Sequence, residues 1–194
     1  MNEAEIAKTL AAAEAALDDP SSSIQEFRAL LAPLIAARVG AAIWLDCSVG
    51  HEDESETDLE KRYVEGTFLA AECGDLDALY TTGVFYDYGE YDLVAMDKAK
   101  ASAIFKSAAD RGHARCMYIH ACELLWGQGT FEQDVPAGLD YLERGIAAKS
   151  GDACMIKARL LLRGEFGFSV DREAAQELRN QAKEYDDTLF DQLE

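Results

Sequence analysis

Apolar side chains recur along the chain at the spacing of one face of an α-helix. Near the start, Ile6, Leu10, Ala13 and Leu17 form such a stripe, which Pro20 ends. Three later stretches combine small and large apolar residues at the same spacing, and an Asp suited to cap a helix precedes each one. The pattern predicts about nine or ten helices in antiparallel pairs. The three stretches are 101–109, 138–146 and 174–182, preceded by Asp97, Asp134 and Asp171.

A second helix is predicted to begin at the capping box formed by Ser23 and Glu26. Pro33 lies within the apolar stretch that follows, and the sequence leaves two interpretations of it open. It either kinks this helix or begins the next one, because proline is tolerated in the first turn of a helix and disruptive further inside.

The chain also repeats itself. A small residue is followed after five positions by a second small residue, after three more by a large one and after three more by glycine. The repeats start at positions 38 and 37 residues apart, and "AAECG" (70–74) is echoed by "AADRG" (108–112), with another glycine at Gly151. One such unit cannot bury its own apolar faces, so the units must stack. The matching sets are Ala78, Gly83, Tyr86 and Gly89; Cys116, Ala121, Leu124 and Gly127; and Ala153, Ala158, Leu161 and Gly164.

These glycines and this period resemble the Sel1-like repeat, a relative of the tetratricopeptide repeat. The resemblance implies an all-α fold, a right-handed α-solenoid of antiparallel helix pairs. Residues 74–187 would form three repeats. Residues 1–73 would hold N-terminal helices, a degenerate repeat that includes Ala36, Ala41 and Trp44, and an acidic loop. Residues 188–194 would cap the last repeat, the whole forming one continuous domain.

The stretch "GHARCMYIHAC" (112–122) raises the question of a metal site. His113, Cys116 and His120 would lie near one face of a helix, and both residue types bind zinc. However, Cys116 occupies the small-residue position of the repeat, and His113 follows the junction glycine, where the other units carry Asp75 and Asp152. We therefore interpret these residues as repeat positions and predict neither a metal nor a cofactor.

Charge and cysteine content narrow the classes of partner. The formal net charge of −19 argues against nucleic acid or an anionic membrane surface as a partner, and it suits a basic protein. No apolar run is long enough to span a membrane, and the acidic start "MNEAEIAKTL" lacks the basic region of an export signal. Five cysteines in such a chain predict thiols in the cytoplasm rather than a disulfide framework.

No local pattern predicts catalysis. The sequence contains no glycine-rich phosphate loop, no nucleophile elbow and no "HExxH" motif. Acidic residues are so abundant that a pair of them is not informative. We therefore expect a protein that is not an enzyme and has no catalytic residues.

Two stretches are candidate interaction surfaces. "HEDESETDLE" (51–60) carries six acids and is expected to loop out, with Thr57 and Glu60 forming a capping box at its end. "YDYGEYD" (86–92) alternates tyrosine with acid; Tyr86 stands at a packing position, and one other tyrosine could serve only to close the loop. A solvated loop is the alternative for the first stretch. The candidate partner-binding residues are Glu52, Asp53, Glu54, Glu56, Asp58, Asp87, Tyr88, Glu90, Tyr91 and Asp92.

The resemblance and the charge together suggest a function. Sel1-like repeat proteins are generally adaptors, and small members in bacteria include immunity proteins that neutralise toxins. The resemblance therefore implies a protein-binding module, and the acidity favours an immunity protein that occludes a basic toxin acting in the cytosol. An adaptor for an endogenous regulatory protein is the alternative, and a metal-binding or enzymatic role is a minor one.

Overall fold

The computed structural model describes residues 1–50 and 55–186, and these residues form an all-α protein with ten helices. The single β feature in this part of the chain is an isolated bridge between Glu90 and Val94. The all-α prediction is confirmed. The predicted cap at 188–194 and the candidates Glu52, Asp53 and Glu54 lie outside the described residues. The helices are α1 Glu3–Asp18, α2 Ile24–Ala36, α3 Gly40–Ser48, α4 Glu56–Glu72, α5 Leu76–Tyr88, α6 Lys98–Asp110, α7 Ala114–Trp126, α8 Val135–Ala147, α9 Gly151–Arg163 and α10 Arg172–Tyr185.

The chain divides into two compact units, Met1–Asp97 and Lys98–Glu194. In the first unit each helix packs on the next, from α1 to α5. Helix α2 continues through Pro33 to Ala36, so this proline lies inside the helix and does not begin α3. The core between α1, α2 and α3 is apolar and buried. It includes Ala13, Phe27, Leu31, Leu34 and Ala42.

In the second unit α6 packs on α7, α7 on α8, and α9 on α10. Small residues let these helices approach closely, as the sequence pattern predicted. A Cβ atom on Gly138 of α8 would lie 3.0 Å from the backbone nitrogen of Leu125 in α7, and one on Gly145 would lie 3.1 Å from the Cβ of Ala153. Both distances are shorter than ordinary van der Waals contacts, so a larger residue at either position would force its neighbours to shift.

Four junctions between helices share one backbone geometry. In each, a residue with positive φ follows the helix, and the N–H group of the next residue donates to a carbonyl five positions earlier, as in a Schellman motif. That next residue is the N-cap of the following helix. The positive-φ residues are Arg38, Gly74, Gly112 and Lys149.

These junctions correct two details of the sequence analysis. The residue equivalent to Gly74 and Gly112 is Lys149, with φ of 63°, so Gly151 is not the junction glycine; Ser150 caps α9 in place of Asp152. Arg38 marks the same junction ahead of α3. The small positions of this first unit are therefore the buried Ala42 and Cys47, which replace the expected Ala36 and Ala41.

Candidate functional site

The stretch predicted from its tyrosines and acids forms the end of α5 and the tight loop after it. Helix α5 ends at Tyr88, and Gly89 takes a φ of 79° that suits glycine. Two backbone hydrogen bonds between Glu90 and Val94 close the loop, and the Asp97 N–H donates to the Tyr86 carbonyl. Val94 is buried beneath the loop. The loop is thus fixed by its own backbone.

The outer side of this loop exposes an unusual number of large apolar side chains. Tyr88 is 74% exposed, Met96 63% and Leu93 51%. The carboxylates of Glu90 and Asp92 lie among them in sequence. We call Tyr88, Glu90, Tyr91, Asp92, Leu93 and Met96 the loop surface. Apolar side chains bordered by charge are typical of protein-binding patches.

Tyr91 and Tyr88 have different surroundings. Tyr91 adopts a left-handed backbone with φ of 46°, and its ring meets that of Tyr63 edge-on at 6.5 Å between centroids. It is 46% exposed, so it both closes the loop and faces solvent. Tyr88 extends much further into solvent. Tyr86 packs against Phe68 at 6.1 Å, in agreement with its predicted packing position.

Tyr91 also forms one wall of a pocket of about 450 Å³ in the first unit. Cys47 and Ser48 come from the end of α3 and Gly50 from just after it. The first turns of α4 contribute Glu56, Leu59, Glu60 and Tyr63. We call this concavity the tyrosine pocket. It brings together Glu56 and Tyr91, two candidate residues from separate stretches of sequence.

Helix α4 presents its carboxylates from its first two turns. It begins at Glu56, and its N-cap is Ser55, whose hydroxyl accepts the Asp58 N–H at 3.2 Å. The predicted capping box of Thr57 and Glu60 is therefore wrong, and half of the expected loop is helical. Asp58 is exposed, and its carboxylate accepts the Ser55 hydroxyl at 2.6 Å. The remaining candidate, Asp87, is half-buried near the end of α5.

The pocket is an electronegative and partly desolvated environment. Burial raises the pKa of Tyr91, and the nearby carboxylates of Glu90 and Glu60 raise it further. Burial likewise raises the pKa of the Cys47 thiol to about 11. Cys47 is therefore protonated at neutral pH and is not an activated nucleophile.

Charge is unevenly distributed between the two units. Residues 1–97 contain 21 acids and 5 bases, whereas residues 98–194 contain 16 acids and 13 bases. Most of the net charge of −19 therefore belongs to the unit that carries the loop surface and the tyrosine pocket. A count by halves of the chain would have revealed this asymmetry from the sequence.

The residues of "GHARCMYIHAC" have separate structural roles. His113 is the N-cap of α7, and its Nδ1 accepts the Cys116 N–H at 3.1 Å. Cys116 is completely buried at its repeat position. His120 is also buried, with its Nδ1 3.0 Å from the Glu123 carboxylate. Within residues 1–50 and 55–186, no three His, Cys, Asp or Glu side chains are grouped to hold a metal ion.

Glu123 forms the centre of a buried polar cluster that the sequence analysis did not identify. One of its carboxylate oxygens faces His120, and the other accepts the hydroxyl of Ser102 from α6. A Cβ on Gly129 would lie 2.9 Å from the Glu123 carboxylate, so the following loop covers this group closely. Because the serine donates to the carboxylate and not to the histidine, the cluster lacks the nucleophile–base contact of a catalytic triad. It ties α6 to α7.

Several other residues at the site were also missed. Glu60, Tyr63 and Cys47 line the tyrosine pocket, and Leu93 and Met96 belong to the loop surface. Leu93 and Met96 could have been found, because two large apolar residues in a short loop are a signal of exposure.

No helix in the described part of the chain has the length and apolar character needed to cross a membrane.

Comparisons with known proteins give matches only among solved structures. No family model matches the sequence, and no curated protein matches it either. A Sel1 repeat protein from Oxalobacter formigenes superposes with a TM-score of 0.70 at 20% identity, over 84% of this chain and 66% of that one. The protein c5321, a protective antigen present in uropathogenic Escherichia coli strains and displaying an SLR fold, gives a TM-score of 0.67 at 18% identity. That match covers 91% of this chain and 37% of that one.

The present chain thus spans under two thirds of the length of either neighbour. At this level of sequence identity, the two structures establish the fold of this chain. They do not indicate which partner it binds. The helix pairs, the repeated junctions and the two superpositions agree with the pattern of glycines and small residues in the sequence. This chain therefore has the Sel1-like repeat fold.

Proposed function

We propose that this chain is a protein-binding helical-repeat protein that acts in the cytoplasm and recognises a basic partner. The observation that carries the proposal is the loop surface. It exposes Tyr88, Leu93 and Met96 next to acidic residues, on the more acidic of the two units. Aromatic and methionine side chains provide binding energy at interfaces, and surrounding charge selects and steers the partner.

The partner that best fits this chemistry is a basic bacterial toxin, which the chain would neutralise by occlusion. Inhibition by occlusion needs only a surface that covers the toxin, and it needs no reacting group on this chain. The pocket thiol, Cys47, is protonated at neutral pH, and the hydroxyl of the buried Ser102 donates a hydrogen bond to a carboxylate. Both features support binding over chemistry at these positions.

The kinetics of a purified complex test this proposal. Replacing Glu52, Asp53, Glu54 and Glu56 by Gln should lower mainly the association rate, because steering acts before contact. Replacing Tyr88 by Ala should raise mainly the dissociation rate, by about tenfold or more if it is a hot spot. The matched controls lie in the second unit. Replacing Glu132, Glu173, Glu177 and Glu184 by Gln removes the same number of charges, and Leu162→Ala removes an exposed apolar side chain.

A pull-down from the native host should identify the partner. The captured protein is then expressed with and without this chain. A captured protein that is toxic alone and harmless in its presence supports the immunity role. A captured protein that is harmless in both cases favours an adaptor. If association is indifferent to salt between low and moderate ionic strength, charge does not guide recognition and the proposed basic partner is wrong.

A further inference from the structure

The tyrosine pocket has two aromatic walls that are held in place by other rings. Tyr63 and Tyr91 meet with an angle of 77° between their ring planes. Tyr63 is supported on its other sides by Phe85 at 5.6 Å and Trp44 at 6.1 Å. Because these neighbours fix Tyr63, its ring is oriented before any ligand arrives, which reduces the entropy lost on binding.

Carboxylates occupy another side of the same pocket. Glu56 and Glu60 are one helical turn apart on α4, and both line the cavity. The two bases that follow them on α4 have local partners. Lys61 pairs with Glu65 at 3.8 Å, and the Arg62 guanidinium donates to the carbonyls of Asp46 and Val49. The pocket therefore combines negative charge with aromatic faces.

We infer that the tyrosine pocket accepts an arginine side chain of the partner, an assignment that rests on the proposed binding of a basic protein. A guanidinium is planar, so it can stack on a tyrosine ring while it donates to a carboxylate. The cavity of about 450 Å³ also has room for the aliphatic stem, which Leu59 would contact. A lysine ammonium is compact and strongly hydrated, and it fits this combination less well.

The dipole of α4 does not repel an arginine guanidinium from the pocket. The partial positive charge at a helix N-terminus is equivalent to about half a unit. Glu56 and Asp58 lie in the first turn of α4 and Glu60 lies in the next. The negative charge of these carboxylates is larger than the positive charge of the helix dipole. The neutral Cys47 thiol adds no charge to the pocket.

The test uses the whole protein and three capped tripeptides, glycine–X–glycine, in which X is arginine, lysine or citrulline. Citrulline keeps the shape of arginine and removes its charge. Titration followed by NMR should give saturable shifts of the Tyr63 and Tyr91 ring signals with the arginine peptide. The citrulline peptide should give none, and the lysine peptide should bind at least about fivefold more weakly. Equal responses to citrulline, equal binding of lysine, or shifts confined to other rings would overturn the assignment.

A matched pair of variants tests the carboxylates. Glu60→Gln should weaken the arginine peptide at least about fivefold, whereas Glu65→Gln, on the same helix but outside the pocket, should leave its binding unchanged. Circular dichroism checks that both variants fold. If Glu65→Gln weakens binding as much as Glu60→Gln, general charge explains the effect and the pocket does not.

The pocket and the proposed function can fail separately. If Tyr88→Ala weakens the partner complex while Glu60→Gln does not, and the arginine peptide fails to bind, the function stands and the pocket assignment falls. If the arginine peptide binds as described but the partner complex ignores both salt and Tyr88→Ala, the arginine preference of the pocket stands and the proposed function falls.

Discussion

The close approach of α3 and α4 at Gly66 gives a direct test of the packing. A Cβ built on Gly66 would lie 3.0 Å from Sγ of Cys47 and nearer still to its Cβ. Favourable carbon contacts are about 3.5–4.0 Å, so Gly66→Ala must push the two helices apart or rotate one of them. The Cβ of Cys47 cannot move aside, because it is attached directly to the backbone.

Two opposing effects determine how much Gly66→Ala changes the free energy of unfolding. Overpacking of this kind costs about 1–3 kcal/mol, and replacing glycine by alanine inside a helix recovers about 0.5–1 kcal/mol. Gly66→Ala should therefore lower the free energy of unfolding by roughly 1 kcal/mol, and by at most about 2.5 kcal/mol. Urea unfolding followed by far-UV circular dichroism measures this change as a shift of the midpoint at constant slope.

A double-mutant cycle separates the clash from other effects. Cys47→Gly alone should destabilise the protein, because it adds backbone entropy and removes buried surface. In the presence of Gly66→Ala it should cost much less, because it removes the atom that clashes; the coupling should be about 1–3 kcal/mol. Gly50→Ala is the control, since no atom lies within 4 Å of a Cβ there. Strict additivity of Gly66→Ala and Cys47→Gly would refute the close contact.

Three further predictions concern other parts of the chain. Lys149→Gly should raise the free energy of unfolding by about 1 kcal/mol, because glycine adopts the left-handed backbone without strain. Gly112→Ala should lower the free energy of unfolding for the opposite reason. Thermal melts in which both variants shift the melting temperature in the same direction would refute the junction geometry. Glu123→Ala should cost about 3 kcal/mol in urea unfolding by leaving buried partners unpaired, whereas the double change of His120 and Glu123 to Leu should cost far less. Burial raises the pKa of the Cys122 thiol from 9.0 to about 12, so at pH 8 it should alkylate slowly in the folded protein and rapidly in urea. Because the unfolded thiol loses its proton first, stability should fall as pH rises from about 9 towards 12, and Cys122→Ala should reduce that fall.

The sequence predicted the helices and the repeat because their signals are local. Small residues at the contact positions, such as Ala78, Cys116 and Ala153, align with N-caps three residues earlier. The junction before α9 was predicted two positions too late because it carries no glycine, and the left-handed residue there is Lys149, two residues before Gly151. A few non-glycine residues adopt this conformation when the surrounding hydrogen bonds enforce it.

The start of α4 shows why local signals can compete. Ser55 and Thr57 are both suitable N-caps, and each has an acid three residues later. The structure uses Ser55, which adds about half a turn to the helix and places Glu56 in the pocket. The pairing of Glu56 with Tyr91 was beyond sequence reasoning, because it depends on how α3, α4 and the loop after α5 pack together.

The loop that covers Glu123 restricts which residue can stand at position 129. Tyr91, Gly129 and Phe166 hold equivalent left-handed positions, two residues after the glycine that ends each helix. The residue four positions before that glycine is buried in each repeat, as Phe85, Glu123 and Leu160 in turn, and the first and third repeats carry an aromatic residue at the left-handed position. Above Glu123, a Cβ would meet the carboxylate at 2.9 Å. A side chain at position 129 would therefore have to displace the Glu123 carboxylate from its contacts with Ser102 and His120, so the buried acid and the glycine above it depend on each other.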